Sequence, residues 1–185
     1  MTQAVEASRP SAGTAGAGHA AEHGQYLTFL LAREVYAIGI LAIKEIIEYD
    51  GVTSVPMMPE AVRGVINLRG AVVPVLDLAA SFGCKPTEIT RRTCIVIVEV
   101  DAGAETRDIG VIVDAVNEVV EIPAGEIEPA PAFGTNIRSD FIAGMGKRDG
   151  KFVIILNADR VLSGAEVTTV AEAATGGEMA VAEAA

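Results

Sequence analysis

Chemistry in this chain would rest on two histidines, two cysteines and a few carboxylates set among apolar residues. His19 and His23 stand four apart with Glu22 between them, a spacing that would bring two imidazoles to one metal on a helix. The glycines of the preceding Ser11-Ala-Gly-Thr-Ala-Gly-Ala-Gly18 oppose such a helix. No histidine occurs after residue 23, which excludes a His-based triad or general base from the rest of the chain. Cys84 and Cys94 lack a histidine partner and read as reduced core thiols. There is no C-x-x-C, H-E-x-x-H or phosphate-cradling glycine motif, so no metal or cofactor is implied. Glu45, Asp77 and Asp114 sit beside apolar residues, and a buried carboxylate pair can do acid–base work. The favoured reading is that each caps a turn or pairs with an arginine. A small enzyme using Glu45 or Asp114 is the alternative.

One charge pair stands out. Arg69 occupies a tight turn in Asn67-Leu-Arg-Gly70, and Glu45 interrupts an apolar run. The planar fork of an arginine suits a carboxylate. Aromatics at turns extend the candidate binding surface. Tyr49 precedes Asp50-Gly51, and Phe133 ends Pro129-Ala-Pro-Ala-Phe133.

Strands must position these groups. Half of the 185 residues are hydrophobic but only 4% are aromatic, so the apolar mass is Ala, Val, Ile and Leu. Val and Ile favour strands. Strands are expected over 26–31, 35–40, 65–68, 71–78, 93–100, 106–113, 116–122, 142–146 and 151–156, with turns at Ala32-Arg33-Glu34, Arg69-Gly70 and Arg148-Asp149-Gly150. Ile40, Ile43 and Ile47 stand at helical spacing and predict a short helix over 40–48. Asn157 is placed to cap a last helix ending near Ser163.

The chain also repeats itself. Gly64, Gly70 and Leu76 recur as Gly144, Gly150 and Leu156, and Asp77 matches Asn157, all at an offset of 80. Ile43-Lys-Glu-Ile-Ile-Glu48 recurs as Val116-Asn-Glu-Val-Val-Glu121, and Ile38-Gly39-Ile40 as Ile109-Gly110-Val111. This predicts two similar small barrels that share an interface, since each alone has a thin core.

Residues 1–24 and 164–185 carry few large side chains and are expected to be disordered tails around a body at 25–163. The formal net charge of −11 argues against nucleic acid, and no run is long and apolar enough to span a membrane. No basic and then apolar leader opens the chain, and two cysteines suit a reducing, cytoplasmic setting.

Gly64-Val-Ile-Asn-Leu-Arg-Gly-Ala-Val-Val-Pro-Val-Leu-Asp-Leu78 resembles the signature of the CheW family of chemotaxis coupling proteins. Tyr36-Ala-Ile-Gly-Ile, Lys44-Glu-Ile-Ile-Glu-Tyr-Asp50, Gly110-Val-Ile-Val-Asp114 and Ile127-Glu-Pro-Ala-Pro131 fall in the family's order. The resemblance covers about 25–163. It implies a mainly β fold of two intertwined five-stranded SH3-like barrels with a few short helices. It implies a non-catalytic, cytoplasmic adaptor at receptor arrays, joining the tips of methyl-accepting chemoreceptors to the regulatory domain of the kinase CheA. An adaptor for another receptor–kinase pathway, such as one for surface motility, is the neighbouring alternative. Ile43, Glu45, Arg69, Cys94, Gly110 and Val119 would line the receptor groove, with Glu45 and Arg69 as an ion pair. Tyr49, Asp50, Arg63 and Gly64 would face the kinase, and the segment around Phe133 would form a second contact. Two positions depart from the family pattern: Cys94 replaces a larger aliphatic, and no acid precedes Phe133.

Overall fold

Short turns divide the chain into hairpins. A computed structural model describes residues 24–131 and 137–163. In chain order the elements are β1 (Gln25–Leu31), β2 (Glu34–Gly39), β3 (Ile43–Glu48), β4 (Val62–Leu68), β5 (Ala71–Asp77), α1 (Leu78–Ser81), β6 (Cys94–Asp101), β7 (Thr106–Val113), β8 (Ala115–Glu121), β9 (Ile127–Glu128), β10 (Ile142–Arg148), β11 (Lys151–Leu156) and α2 (Ala158–Leu162). Three hairpins close through two-residue turns, Ala32-Arg33, Arg69-Gly70 and Asp149-Gly150, with positive φ at every central residue. That backbone matches the twist of the flanking strands.

The helix expected over 40–48 is a correction. Only Ile40–Ala42 turns, as a single 3₁₀ turn, and Ile43–Glu48 is strand. A register shift between Ile43 and Glu45 breaks the alternation, so isoleucines fall at a spacing that mimics a helix. The sequence reading also omits α1. Its Schellman end has Gly83 N–H donating to Ala80 O and Cys84 N–H to Ala79 O, with Gly83 at φ 77°. Cys84 therefore lies beyond the helix and is exposed, which corrects its reading as a core thiol.

The strands form two sheets, β3-β6-β7-β5-β4 and β8-β1-β2-β11-β10-β9. Each sheet takes a hairpin from one repeat and its other strands from the second: β6–β7 joins β3, β4 and β5, and β1–β2 joins β8, β9, β10 and β11. Parallel pairing joins the copies, with Val75–Asp77 against Gly110–Ile112 and Ile154–Leu156 against Tyr36–Ile38. The fold is mainly β, and the two halves are intertwined as expected. This pairing places Ile38 on Val111 and Ala37 on Gly110, so the match of Ile38-Gly39-Ile40 to 109–111 is two residues out of register. After β3 the chain crosses to β4 through a Thr53↔Val65 bridge, and after β8 it reaches β10 through β9. Each sheet's ends are thus drawn together.

Alternation along the strands feeds two kinds of core. Ile95 and Ile97 join Val73, Val75 and Ile112 in a small core belonging to one sheet. Ala37, Val120, Ile122, Val153 and Ile155 form its counterpart. Val96 and Val98 point the other way, into a larger core shared with Leu27, Phe29, Ile38 and Leu156 of the other sheet. The shared core is what two thin sheets need for stability.

Candidate functional site

Glu45 and Arg69 meet. Glu45 is on edge strand β3, and Arg69 is in the β4–β5 turn at the opposite edge of the sheet. The Arg69 Nη2 donates to Glu45 Oε2 at 2.9 Å. Arg69 is 79% exposed at its side chain and Glu45 only 24%. Glu45 pairs in register with fully buried Ile97, so its carboxylate lies against the small core. There Glu45 Oε1 is buried with no hydrogen-bond partner. The turn that presents Arg69 is fixed by Asn67 Oδ1, which accepts from Gly70 N–H at 2.9 Å. The other sheet repeats the clasp loosely, with Arg148 3.7 Å from Glu118.

The remaining groove candidates divide between two faces. Ile43 and Cys94 are half-buried and pack against the shared core. Val119, 49% exposed, pairs with Leu27 and faces the same core from edge strand β8. Gly110 is buried and faces the small core. A Cβ there would meet Ile95 Cγ2 at 2.9 Å and Val75 Cγ2 at 3.2 Å, so its place is structural packing. Lys44, beside Glu45, bridges Asp108 at 2.9 Å and Glu99 at 3.3 Å. Its hydrogen bonds to those carboxylates hold its ammonium above the usual lysine pKa.

At the end of β3, Tyr49 packs against the small core and Asp50 is exposed. Asp50 helps to line an open concavity of about 480 Å³ with Ile47, Glu48, Thr53, Ile66 and Asn67. Gly64 is buried, at φ 149°, where any Cβ would collide with the Thr53 carbonyl oxygen. Phe133, His19 and His23 lie outside the described residues.

A CheW-like domain model matches residues 25–166. The chain belongs to the CheW-like family. Among relatives, the "Chemotaxis protein CheW" of Klebsiella aerogenes is 32% identical over 146 residues, covering 79% of this chain and 86% of that protein. The protein of the same name from Helicobacter pylori is 33% identical over 138 residues, covering 75% of this chain and 81% of its own. A crystal structure of the scaffolding protein TtCheW from Thermoanaerobacter tengcongensis aligns with a TM-score of 0.70 at 34% identity, covering 78% of this chain and 95% of that one.

Arg63, which the resemblance puts on the kinase side, directs its guanidinium to Asp77 and Thr87. Its Nε and Nη2 donate to Asp77 Oδ2 at 3.1 and 2.9 Å, and Nη2 donates to Thr87 O at 2.7 Å. Asp77 is fully buried and also accepts from Ala79 and Ala80 N–H and from Thr87 N–H and hydroxyl. A charge so placed is tolerated because every lone pair has a donor. Sequence reasoning missed Thr87, whose signal was only a threonine after proline. Asp114 caps a turn, accepting from Ala32 N–H at 2.9 Å. Glu45, Asp77 and Asp114 are thus each engaged by a separate structural partner, as the favoured reading held.

Proposed function

We propose that this chain is a non-catalytic adaptor that couples methyl-accepting chemoreceptors to the histidine kinase CheA at the cytoplasmic face of the membrane. The observation that carries this reading is the CheW-like match across nearly the whole described body, residues 25–166. Two sets of residues on one body suit the task. The Glu45–Arg69 clasp, with Ile43, Cys94 and Val119 near the shared core, serves the receptor tip. The end of β3 with Tyr49 and Asp50, and the adjoining Arg63 and Gly64, serves the kinase regulatory domain. Phe133 supplies a second contact. Arg63 and Gly110 act by holding these faces in shape. No chemical step is asked of the protein, so binding affinity and geometry are the whole mechanism.

The test is a three-component pull-down with a chemoreceptor cytoplasmic fragment and a CheA regulatory domain. The expected result is that the chain retains both partners together. Retention of neither would overturn the proposal, and measurable turnover abolished by Glu45→Ala or Asp114→Ala would replace it with an enzyme.

A further inference from the structure

The loop between α1 and β6 carries a local charge opposite to that of the chain. Residues 84–93 hold Lys85, Arg91 and Arg92 against a single acid, Glu88, in a protein of formal net charge −11. All three basic side chains are exposed, and none forms an ion pair among the described residues. Ile89 stands among them, 42% exposed. A polar rim around an apolar centre is the usual make-up of a docking patch, and here the rim is cationic.

The loop is internally braced. Thr90 N–H donates to Thr93 Oγ1 at 2.8 Å, and Arg92 N–H donates to Thr90 Oγ1 at 3.2 Å. It is also tied to two of the residues expected on the kinase side. Arg63 Nη2 donates to Thr87 O at 2.7 Å, and Tyr49 N–H donates to Thr93 O at 3.2 Å. The patch is therefore continuous with the proposed kinase-facing surface.

We infer that residues 84–93 extend this surface and dock an acidic face of the kinase partner, with Ile89 as anchor and Lys85, Arg91 and Arg92 as a cationic rim. The inference rests on the adaptor reading and adds the loop and the charge of its partner. Arg63 is then a positioning residue that acts through Thr87. Rim charges act through long-range attraction, so they speed association and make it sensitive to salt.

The experiment measures binding of a CheA regulatory domain to the full chain and to Lys85→Glu/Arg91→Glu/Arg92→Glu, at low and high salt, with the receptor fragment as control. Unchanged denaturant midpoints establish that the variant folds, and the triple alanine variant serves if it does not. The expected result is at least about a tenfold loss for the triple reversal at low salt, a shallower salt dependence, and unchanged receptor binding. Wild-type-like binding by the reversal variant would overturn the inference and leave the adaptor reading intact. Failure of the wild-type chain to bind the kinase domain would bring down both. A salt-dependent gain in wild-type affinity on removing residues 164–185, which hold four glutamates and no basic residue, would assign the loop to the chain's own tail instead.

Discussion

Asp77 and Asn157 occupy the same place in the two repeats, each standing between a strand and the short helix that it caps. Among the described residues the Asn157 side chain accepts from Arg160 N–H alone, whereas the Asp77 carboxylate also holds Arg63 and Thr87. One repeat has a simple cap where the other has a buried ionic hub. Asp77→Ala strands the Arg63 guanidinium and should cost about 3–5 kcal/mol. Asn157→Ala loses only a cap and should cost about 1 kcal/mol. Urea unfolding of both variants checks this, and equal costs would show that the hub adds nothing.

The clasp is expected to matter more for binding than for folding. Arg69 is mostly exposed, so Arg69→Ala should lower stability by no more than about 1 kcal/mol. It should weaken receptor-fragment binding well beyond that, because Glu45 is left unpaired beside an apolar surface. In a double-mutant cycle, Glu45→Ala with Arg69→Ala should do less harm than the two singles combined. Additive losses in binding would mean that the two residues do not act as a pair.

Gly64 and Gly144 recur at equivalent positions but should tolerate alanine differently. At Gly64 a Cβ meets the Thr53 carbonyl, and the backbone is at φ 149°. At Gly144 the nearest obstacle is Ile127 Cγ2 at 2.5 Å, a side-chain methyl on a two-residue strand. Gly64→Ala should cost more than about 2 kcal/mol and Gly144→Ala distinctly less. Thermal midpoints of the two variants decide the order.

Tyr36 supplies a pH signature. Burial, and then the negative charges of Cys84 and Glu34, raise its phenol to about 12 from an ordinary 10. Between those values the native state keeps a proton that the unfolded chain has lost, so stability falls as pH rises through that window. The drop should be on the order of 2–3 kcal/mol. Tyr36→Phe should flatten the fall, and absorbance titration at alkaline pH should show one of the three tyrosines ionising late.

Turn chemistry and the glycine spacing made much of this architecture legible. Arg69-Gly70 and Asp149-Gly150 mark their hairpins, and Gly64 with Gly144 marks the duplication. The intertwining of the halves came from the family resemblance and not from the repeat, because similarity between repeats says nothing about which copy a strand pairs with. Ile43–Glu48 misled because one bulge reproduces helical spacing. The Glu45–Arg69 pair came from the family resemblance together with the turn. Asp77 was expected to cap a turn or pair with an arginine, but its partners Arg63 and Thr87 were not legible, since they meet only once the loop after α1 folds back. Cys84 reads as a core thiol for want of a histidine partner, but a helix end at Gly83 turns it outward.

The exchanged hairpins set a timetable for synthesis. β1 and β2 precede the other strands, yet β11, the parallel partner of β2, is the last of the described strands to be made. At about 5–20 residues per second, the first hairpin waits on the order of ten seconds with an open edge. The other sheet needs nothing beyond β7 and is completed while the chain still grows. A chain stopped before β10 would carry one finished half and one unpaired edge, ready to borrow its missing strands from a second copy.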